Sequence, residues 1–406
     1  MLLRRAHSRW VLVGLIGLAA CADDGAPLQG DDGSSSGASS ADSGSASASD
    51  SASTASATTA DDADGSGGSS GASSADSGES SAGEASSSGG TTGCPPPPAC
   101  DAAPPNPGPL VAWQDLQSIA VVASGGPNHR GRDMIYNPGD AQWVLAKFAY
   151  GLTDWDLEGE RIDLYLLRDC AGQWESLGSI DTTYEADPHA TVEGVEDTGG
   201  RVYFQLPAES ILGPGRHRVH MVVRGDATTA EAFIEILEPA TPIFVADIDG
   251  TLTTYETEEF VALLTGALPD VNPNAPEALW ALADHGYHPV YLTARPEFLG
   301  ARTLEFVQQR GLPPGIIHTT LSATGALGSA AETYKTDELA VLADRGLVPG
   351  YVFGNTSSDA AAYDNAGIMP LDHRIFFQYD DDFGGRRIED YGELVDEFTQ
   401  LDDVCE

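Results

Sequence analysis

The chain has 406 residues, of which 62 are acidic and 20 basic, for a formal net charge of −42. Residues 94–406 alone keep 50 acidic against 17 basic side chains, a net of −33. That balance excludes nucleic acid as an expected partner and repels anionic bilayers unless a tether or a local basic patch intervenes.

In chain order, Arg4, Arg5 and Arg9 precede the apolar stretch Trp10 to Ala20. A stretch this short reads as a signal peptide, because a membrane span needs about 20 apolar residues. Leu18-Ala19-Ala20-Cys21 resembles a bacterial lipoprotein signal. That resemblance implies an exported bacterial lipoprotein of the cell envelope, acylated on Cys21 and held at the membrane by its acyl chains. Ala22 rather than Asp after the cysteine favours the outer membrane.

Residues 22–93 are nearly all Ser, Gly, Ala, Thr and Asp, and no Lys or Arg occurs among them. Such a segment buries too little surface to offset its ordering entropy, so residues 22–111, ending in the Pro-rich run Cys94 to Pro109, are expected to be a disordered leash. For the first 72 of these residues a flexible coil spans about 45 Å. Beyond Cys21 there remain Cys94, Cys100, Cys170 and Cys405, an even number with three possible pairings. A Cys94–Cys100 bridge is disfavoured by the four prolines between them.

Residues 112–239 show short alternating runs broken by turn residues. Ser118 to Val122, Gln142 to Ala149, Arg161 to Leu167, Arg201 to Leu206, Arg216 to Val223 and Ala232 to Leu237 read as strands. They predict an immunoglobulin-like β-sandwich with no chemistry of its own. Asn128 to Asp133 carries two arginines and a histidine that suit an anion, but reads first as a solvated loop.

After Ala240 the rhythm becomes strand, helix, strand, helix. Helices are predicted from Ala275 to His285, Glu297 to Arg310, Thr333 to Arg345, Asp359 to Ala366 and Ile388 to Leu401, with strands at Pro242 to Ala246, Pro289 to Thr293, Gly350 to Gly354 and Arg374 to Gln378. Alternation of this kind specifies an α/β domain over residues 240–406, a Rossmann-like parallel sheet covered on both faces. Ligands of such sheets sit at the carboxyl ends of the strands.

Polar residues gather at those ends. Asp247-Ile248-Asp249-Gly250-Thr251 closes the first strand, Thr293-Ala294-Arg295 the second, and Asn355 to Asp359 follows Tyr351-Val352-Phe353-Gly354, while Lys335 lies near the start of a helix. Each has a bland reading alone: an Asp-Gly turn, a strand threonine, a surface lysine, a helix cap. Together and in this order they supply a nucleophilic carboxylate, a second carboxylate for proton transfer, and cations and hydroxyls for a phosphoryl group.

The set Asp-x-Asp-Gly-Thr, Leu-Thr-Ala-Arg, Lys and Gly-Asn-x-x-x-Asp resembles the haloacid-dehalogenase (HAD)-type phosphatases. Within them, Asp-Ile-Asp-Gly-Thr-Leu-Thr and Phe-Gly-Asn-Thr-Ser-Ser-Asp resemble the lipin-type (LNS-type) domain of phosphatidate phosphatases and of the C-terminal part of phosphatidylinositol-transfer proteins. The resemblance implies Asp247 as nucleophile through an aspartyl-phosphate, Asp249 as acid and base, and Thr251 as its support. Thr293 then binds a phosphate oxygen and Lys335 neutralises charge, while Gly250, Arg295 and Asn355 contact substrate. It further implies Mg2+ held by the Asp247 carboxylate, the Asp249 carbonyl and Asp359.

The expected function is the first of three, favoured by the retained Thr251, and the other two are its alternatives. The first is a magnesium-dependent phosphatase acting on a phosphatidate-type lipid or on a small soluble phosphate ester. The second is a phospholipid-binding module of the transfer-protein type that does not turn over; some such members carry Ser where this chain has Thr251. The third is a surface adhesion protein working through its sandwich: deleting residues 112–239 then abolishes function, whereas the enzyme reading expects hydrolysis by residues 240–406 alone largely to survive. Thr254 to Pro273 is the one sizeable insertion near the site, read as packed helix or lid.

Overall fold

The computed structural model describes residues 93–254, 268–380 and 383–405, all within the compact unit Ser86–Glu406. The signal segment, Cys21, the leash up to residue 92 and the heart of the insertion, residues 255–267, lie outside the described residues.

The Pro-rich segment does not behave as a leash. Its carbonyls are taken up by sandwich arginines: Arg218 donates to the Cys100 and Ala102 oxygens at 2.8 and 3.1 Å, and Arg224 to those of Pro107 and Pro109. Prolines leave carbonyls without neighbouring N–H groups to pair them, so arginine is an effective partner. Disulfides join Cys94 to Cys405 and Cys100 to Cys170, rather than Cys94 to Cys100.

Gln117–Val122 is a short helix, α1, where a strand was expected. Carboxylates hold its entry: Asp115 accepts the Gln117 N–H at 2.8 Å, and the distant Glu160 accepts the Gln114 and Asp115 N–H groups and the Ser118 hydroxyl.

The sandwich is built from β1 (Arg130–Arg132), β2 (Met134–Tyr136), β3 (Trp143–Lys147), β4 (Ala149–Tyr150), β5 (Trp155–Asp156), β6 (Arg161–Leu167), β7 (Glu175–Asp181), β8 (Arg201–Gln205), β9 (Gly215–Val223) and β10 (Thr229–Ile236). One sheet has the order β1-β3-β8, the other β2-β10-β9-β6-β7, and β4 pairs with β5. Alternate residues point inward, so Leu164, Leu166, Val219, Met221 and Val223 meet Tyr136, Val144 and Phe148 in the core. Residues 130–132, expected in a solvated loop, form a strand instead, and Arg130 and Asp133 are buried. Charged side chains survive there because each finds a partner across the joint with the second domain.

That domain comprises β11 (Ile243–Ala246), α2 (Ala275–Asp284), β12 (His288–Pro296), a one-turn 3-10 helix (Glu297–Leu299), α3 (Gly300–Gln309), β13 (Ile316–Thr320), α4 (Ser329–Asp344), β14 (Pro349–Gly354), α5 (Ser357–Asn365), β15 (Arg374–Phe377), β16 (Arg386–Ile388) and α6 (Gly392–Phe398). Six strands in the order β13-β12-β11-β14-β15-β16 pair in parallel throughout. Side-chain alternation along β11 sends Phe244 and Ala246 to the face packed by α2 and α6, and Ile243 and Val245 to the face packed by α4 and α5. The second cluster also contains Ile135, Phe233 and Leu237 of the sandwich, so the two domains share apolar core.

Candidate functional site

β11 is fully buried and runs out at Asp247, whose N–H still donates to the Phe353 carbonyl of β14 at 3.0 Å. The chain then turns tightly. Gly250 takes φ +74°, a conformation that favours glycine, and its N–H donates to the Thr253 hydroxyl at 2.9 Å. This turn brings the Thr251 hydroxyl within 3.1 Å of Asp247 Oδ2 and 2.8 Å of Asn355 Oδ1. One hydroxyl proton serves one of these acceptors at a time.

Lys335, on α4, is buried, and its Nζ donates to Asp247 Oδ1 at 2.8 Å and to Asp359 Oδ1. Asp359 opens α5: its Oδ2 accepts the Thr356 N–H at 3.0 Å, the Thr356 hydroxyl at 2.7 Å and the Asn355 N–H at 3.2 Å. Thr356 and Asp359 form a capping box, so the carboxylate is both a helix cap and a member of the charged cluster. A side chain at Gly354 would collide with Asp359.

Two buried carboxylates share one buried ammonium. Burial, aided by Asp359 and Asp249 and opposed by Lys335, pushes the Asp247 carboxyl up to about 7. Burial works against the charge on Lys335, but Asp247 and Asp359 outweigh it and the net shift is upward.

Asp249 belongs to a different arrangement. The Thr293 hydroxyl donates to its Oδ2 at 3.0 Å, and Arg295 spans both carboxylate oxygens, with Nη2 2.6 Å from Oδ1 and Nε 3.0 Å from Oδ2. Arg295 also donates to the Thr303 hydroxyl of α3 at 3.2 Å. About a third of the Asp249 side chain meets solvent, against a twentieth of Asp247. Arg295, expected on substrate phosphate, therefore lies on a carboxylate, the nearest counter-charge.

All the residues singled out by motif thus converge at the carboxyl ends of β11, β12 and β14. Others were not foreseen. Asn272 Nδ2 donates to the Thr251 and Thr253 carbonyls at 2.8 and 3.1 Å, and the Tyr391 hydroxyl donates to the Thr251 carbonyl at 3.0 Å, so two distant segments hold the turn from behind. Thr253, inside the Asp-Ile-Asp-Gly-Thr-Leu-Thr run, was the one legible from sequence.

Among the described residues no three His, Cys, Asp or Glu side chains group as a metal site. The Asp247 and Asp359 carboxylates, brought together on Lys335, offer oxygen donors only, and the Asp249 carbonyl implied by the motif would be a third oxygen. Two buried carboxylates against one ammonium leave a negative charge that a hard divalent cation offsets, so the donors fit magnesium in chemistry.

Residues 127–236 match the model described as PITM 1-3, beta-sandwich domain, and residues 244–377 match PITM 1-3, LNS2 domain. Protein retinal degeneration B of Drosophila melanogaster is 29% identical over 263 residues, 64% of this chain and 19% of that protein. Membrane-associated phosphatidylinositol transfer protein 2 of Mus musculus is 26% identical over 265 residues, 65% of this chain and 18% of that protein. Membrane-associated phosphatidylinositol transfer protein 1 of Homo sapiens is 29% identical over 211 residues, 52% and 15% respectively. The chain spans less than a fifth of the length of each. It carries a β-sandwich domain followed by an LNS2 domain, the transfer-protein side of the motif resemblance; the matches do not name lipin. They also correct the localisation expected from residues 1–21: the relatives are animal proteins, two of them named as membrane-associated, not bacterial outer-membrane lipoproteins.

Proposed function

We propose that the LNS2 domain recognises a lipid phosphomonoester headgroup of the phosphatidate type. The observation that carries this reading is the convergence of Lys335, Arg295, Thr293 and the 247–251 turn within a domain matching phosphatidylinositol transfer proteins. A phosphomonoester is small and doubly charged. It needs cations and hydroxyl donors from several segments, which these residues supply. Titration calorimetry with dioctanoyl phosphatidate and dioctanoyl phosphatidylcholine tests it: preference for phosphatidate is expected, and equal affinity sinks the reading.

A second reading, hydrolysis, is favoured by the pairing of Asp247 with Thr251 and Lys335. Asp247 then attacks phosphorus, Asp249 gives its proton to the leaving oxygen, and Asp249 later takes a proton from the water that opens the aspartyl-phosphate. In this conformation both Asp249 oxygens accept N–H groups from Arg295, so proton transfer requires that pair to part. Magnesium, held by Asp247, the Asp249 carbonyl and Asp359, supplies charge neutralisation when bound. Phosphate release from phosphatidate micelles or from a soluble phosphomonoester, with magnesium and without, separates the two readings; Asp247→Asn is the control. Release from only the soluble ester moves the substrate away from lipid.

A further inference from the structure

Between the sandwich and the start of α3 lies a cavity of about 250 Å³, lined by Arg130, Lys147, Arg201, Glu297 and Gly300 among others. The joint here is therefore not filled with apolar side chains. Glu297 crosses it, Arg201 Nη2 and Arg130 Nη2 from the sandwich reaching its Oε1 at 2.7 and 3.1 Å, beside a longer contact of Arg132 Nη1 to the Thr319 carbonyl at 3.4 Å. Burial opposes the charge on Glu297, yet the two guanidiniums outweigh it and hold its carboxyl below the usual range. The ends of this pairing are firm, because Arg130 is gripped by Asp154 through both terminal nitrogens and both arginines are about 95% buried.

Glu297 stands two residues from Arg295, at the point where β12 gives way to the 3-10 turn. The segment between them is also held to β13, by the pairing of Pro296 with Thr320 and by the Thr320 hydroxyl, which donates to the Arg295 carbonyl at 3.2 Å. We propose that Glu297 is a positioning residue through which the β-sandwich fixes the backbone carrying Arg295, and so sets how that guanidinium divides between Asp249 and a bound phosphate. The proposal rests on the phosphate-recognition reading. It gives the sandwich a part in the site without any contact with ligand.

The test uses the full chain carrying Glu297→Gln, with Arg201→Gln as the variant from the other side of the pair, each alone and combined with Arg295→Lys. Affinity for dioctanoyl phosphatidate is expected to fall roughly three- to tenfold in Glu297→Gln, and to fall no further when Glu297→Gln is added to Arg295→Lys. Unchanged affinity, or the same loss in both backgrounds, overturns the proposal, since a general structural defect adds to Arg295→Lys. Amide hydrogen exchange over residues 293–299 provides a readout that needs no ligand. Faster exchange in both Gln variants at unchanged global melting supports the clamp, and unaltered protection overturns it. If the wild-type chain fails to bind phosphatidate, the recognition reading falls and the exchange result alone decides the clamp.

Discussion

The Asp133 carboxylate of the sandwich accepts the main-chain N–H of Ile317, in the edge strand β13 of the parallel sheet, at 3.0 Å. Its other oxygen accepts the N–H of Phe233, in β10, at 2.8 Å. One buried side chain thus ties the two domains, and around it His318 and Arg132 share Glu338 at 2.7 and 3.1 Å. The sandwich covers a sheet edge that otherwise presents unpaired donors. Asn at position 133 sets an amide NH2 against one of those N–H groups, so Asp133→Asn is expected to cost about 1–3 kcal/mol in chemical denaturation. Residues 240–406 alone are likewise expected to express as aggregate, contrary to the sequence-based expectation that this half works by itself. A soluble, cooperatively melting fragment refutes that.

The pH dependence of stability follows from Asp247. Its carboxyl sits at about 7 in the folded chain against an ordinary 3.8, chiefly through burial. The folded state therefore holds this proton more tightly than the unfolded state. The associated stability is complete below about pH 4 and is lost as pH rises through 7. In chelator, Asp247→Asn removes that slope. The variant is expected to melt close to the wild type near pH 4 and above it at pH 8, and a wild type that gains on the variant as pH rises contradicts this.

The strand-end parts of the site were legible in the sequence because each closes an apolar run: Ile243–Ala246 before Asp247, Val290–Leu292 before Thr293, Tyr351–Phe353 before Gly354 and Asn355. Burial on both faces gives such strands continuous apolar character, and their ends are marked by the first polar residue. What escaped was held by distant partners. Arg130, Arg132 and Asp133 look solvated because the partners that bury them lie far along the chain: Asp154 and Glu297 for Arg130, Glu338 for Arg132, and the Ile317 N–H for Asp133. β13 escaped for a related reason: Ile316 and Ile317 are followed by His318-Thr319-Thr320, and His318 is buried only because Glu338 and the Asp133 carbonyl meet its ring.

Among the described residues Lys335 is the cation paired with both buried carboxylates, Asp247 and Asp359. Replacing it with Met keeps volume and removes the charge, leaving Asp247 and Asp359 facing each other without compensation. Breaking a buried pair in this way costs about 3–5 kcal/mol. Lys335→Met is therefore expected to melt well below the wild type at pH 8, and to recover part of the loss at pH 5, where Asp247 takes up a proton. Equal melting of variant and wild type at pH 8 rules out the charge cluster described.

Magnesium offers the complementary experiment, because a cation that binds only the folded state raises its stability. At about ten times its dissociation constant the gain is about 1.4 kcal/mol, seen as a rise in melting temperature that saturates with concentration. The donors named here make the effect specific. Asp359→Asn leaves the Asn355 and Thr356 N–H groups an amide oxygen to bond but turns its NH2 toward Lys335, so the variant is expected to melt below the wild type and, where folded, to gain little from magnesium. Calcium, larger and content with irregular shells, serves as the comparison ion. An Asp359→Asn chain stabilised by magnesium as much as the wild type places the cation elsewhere.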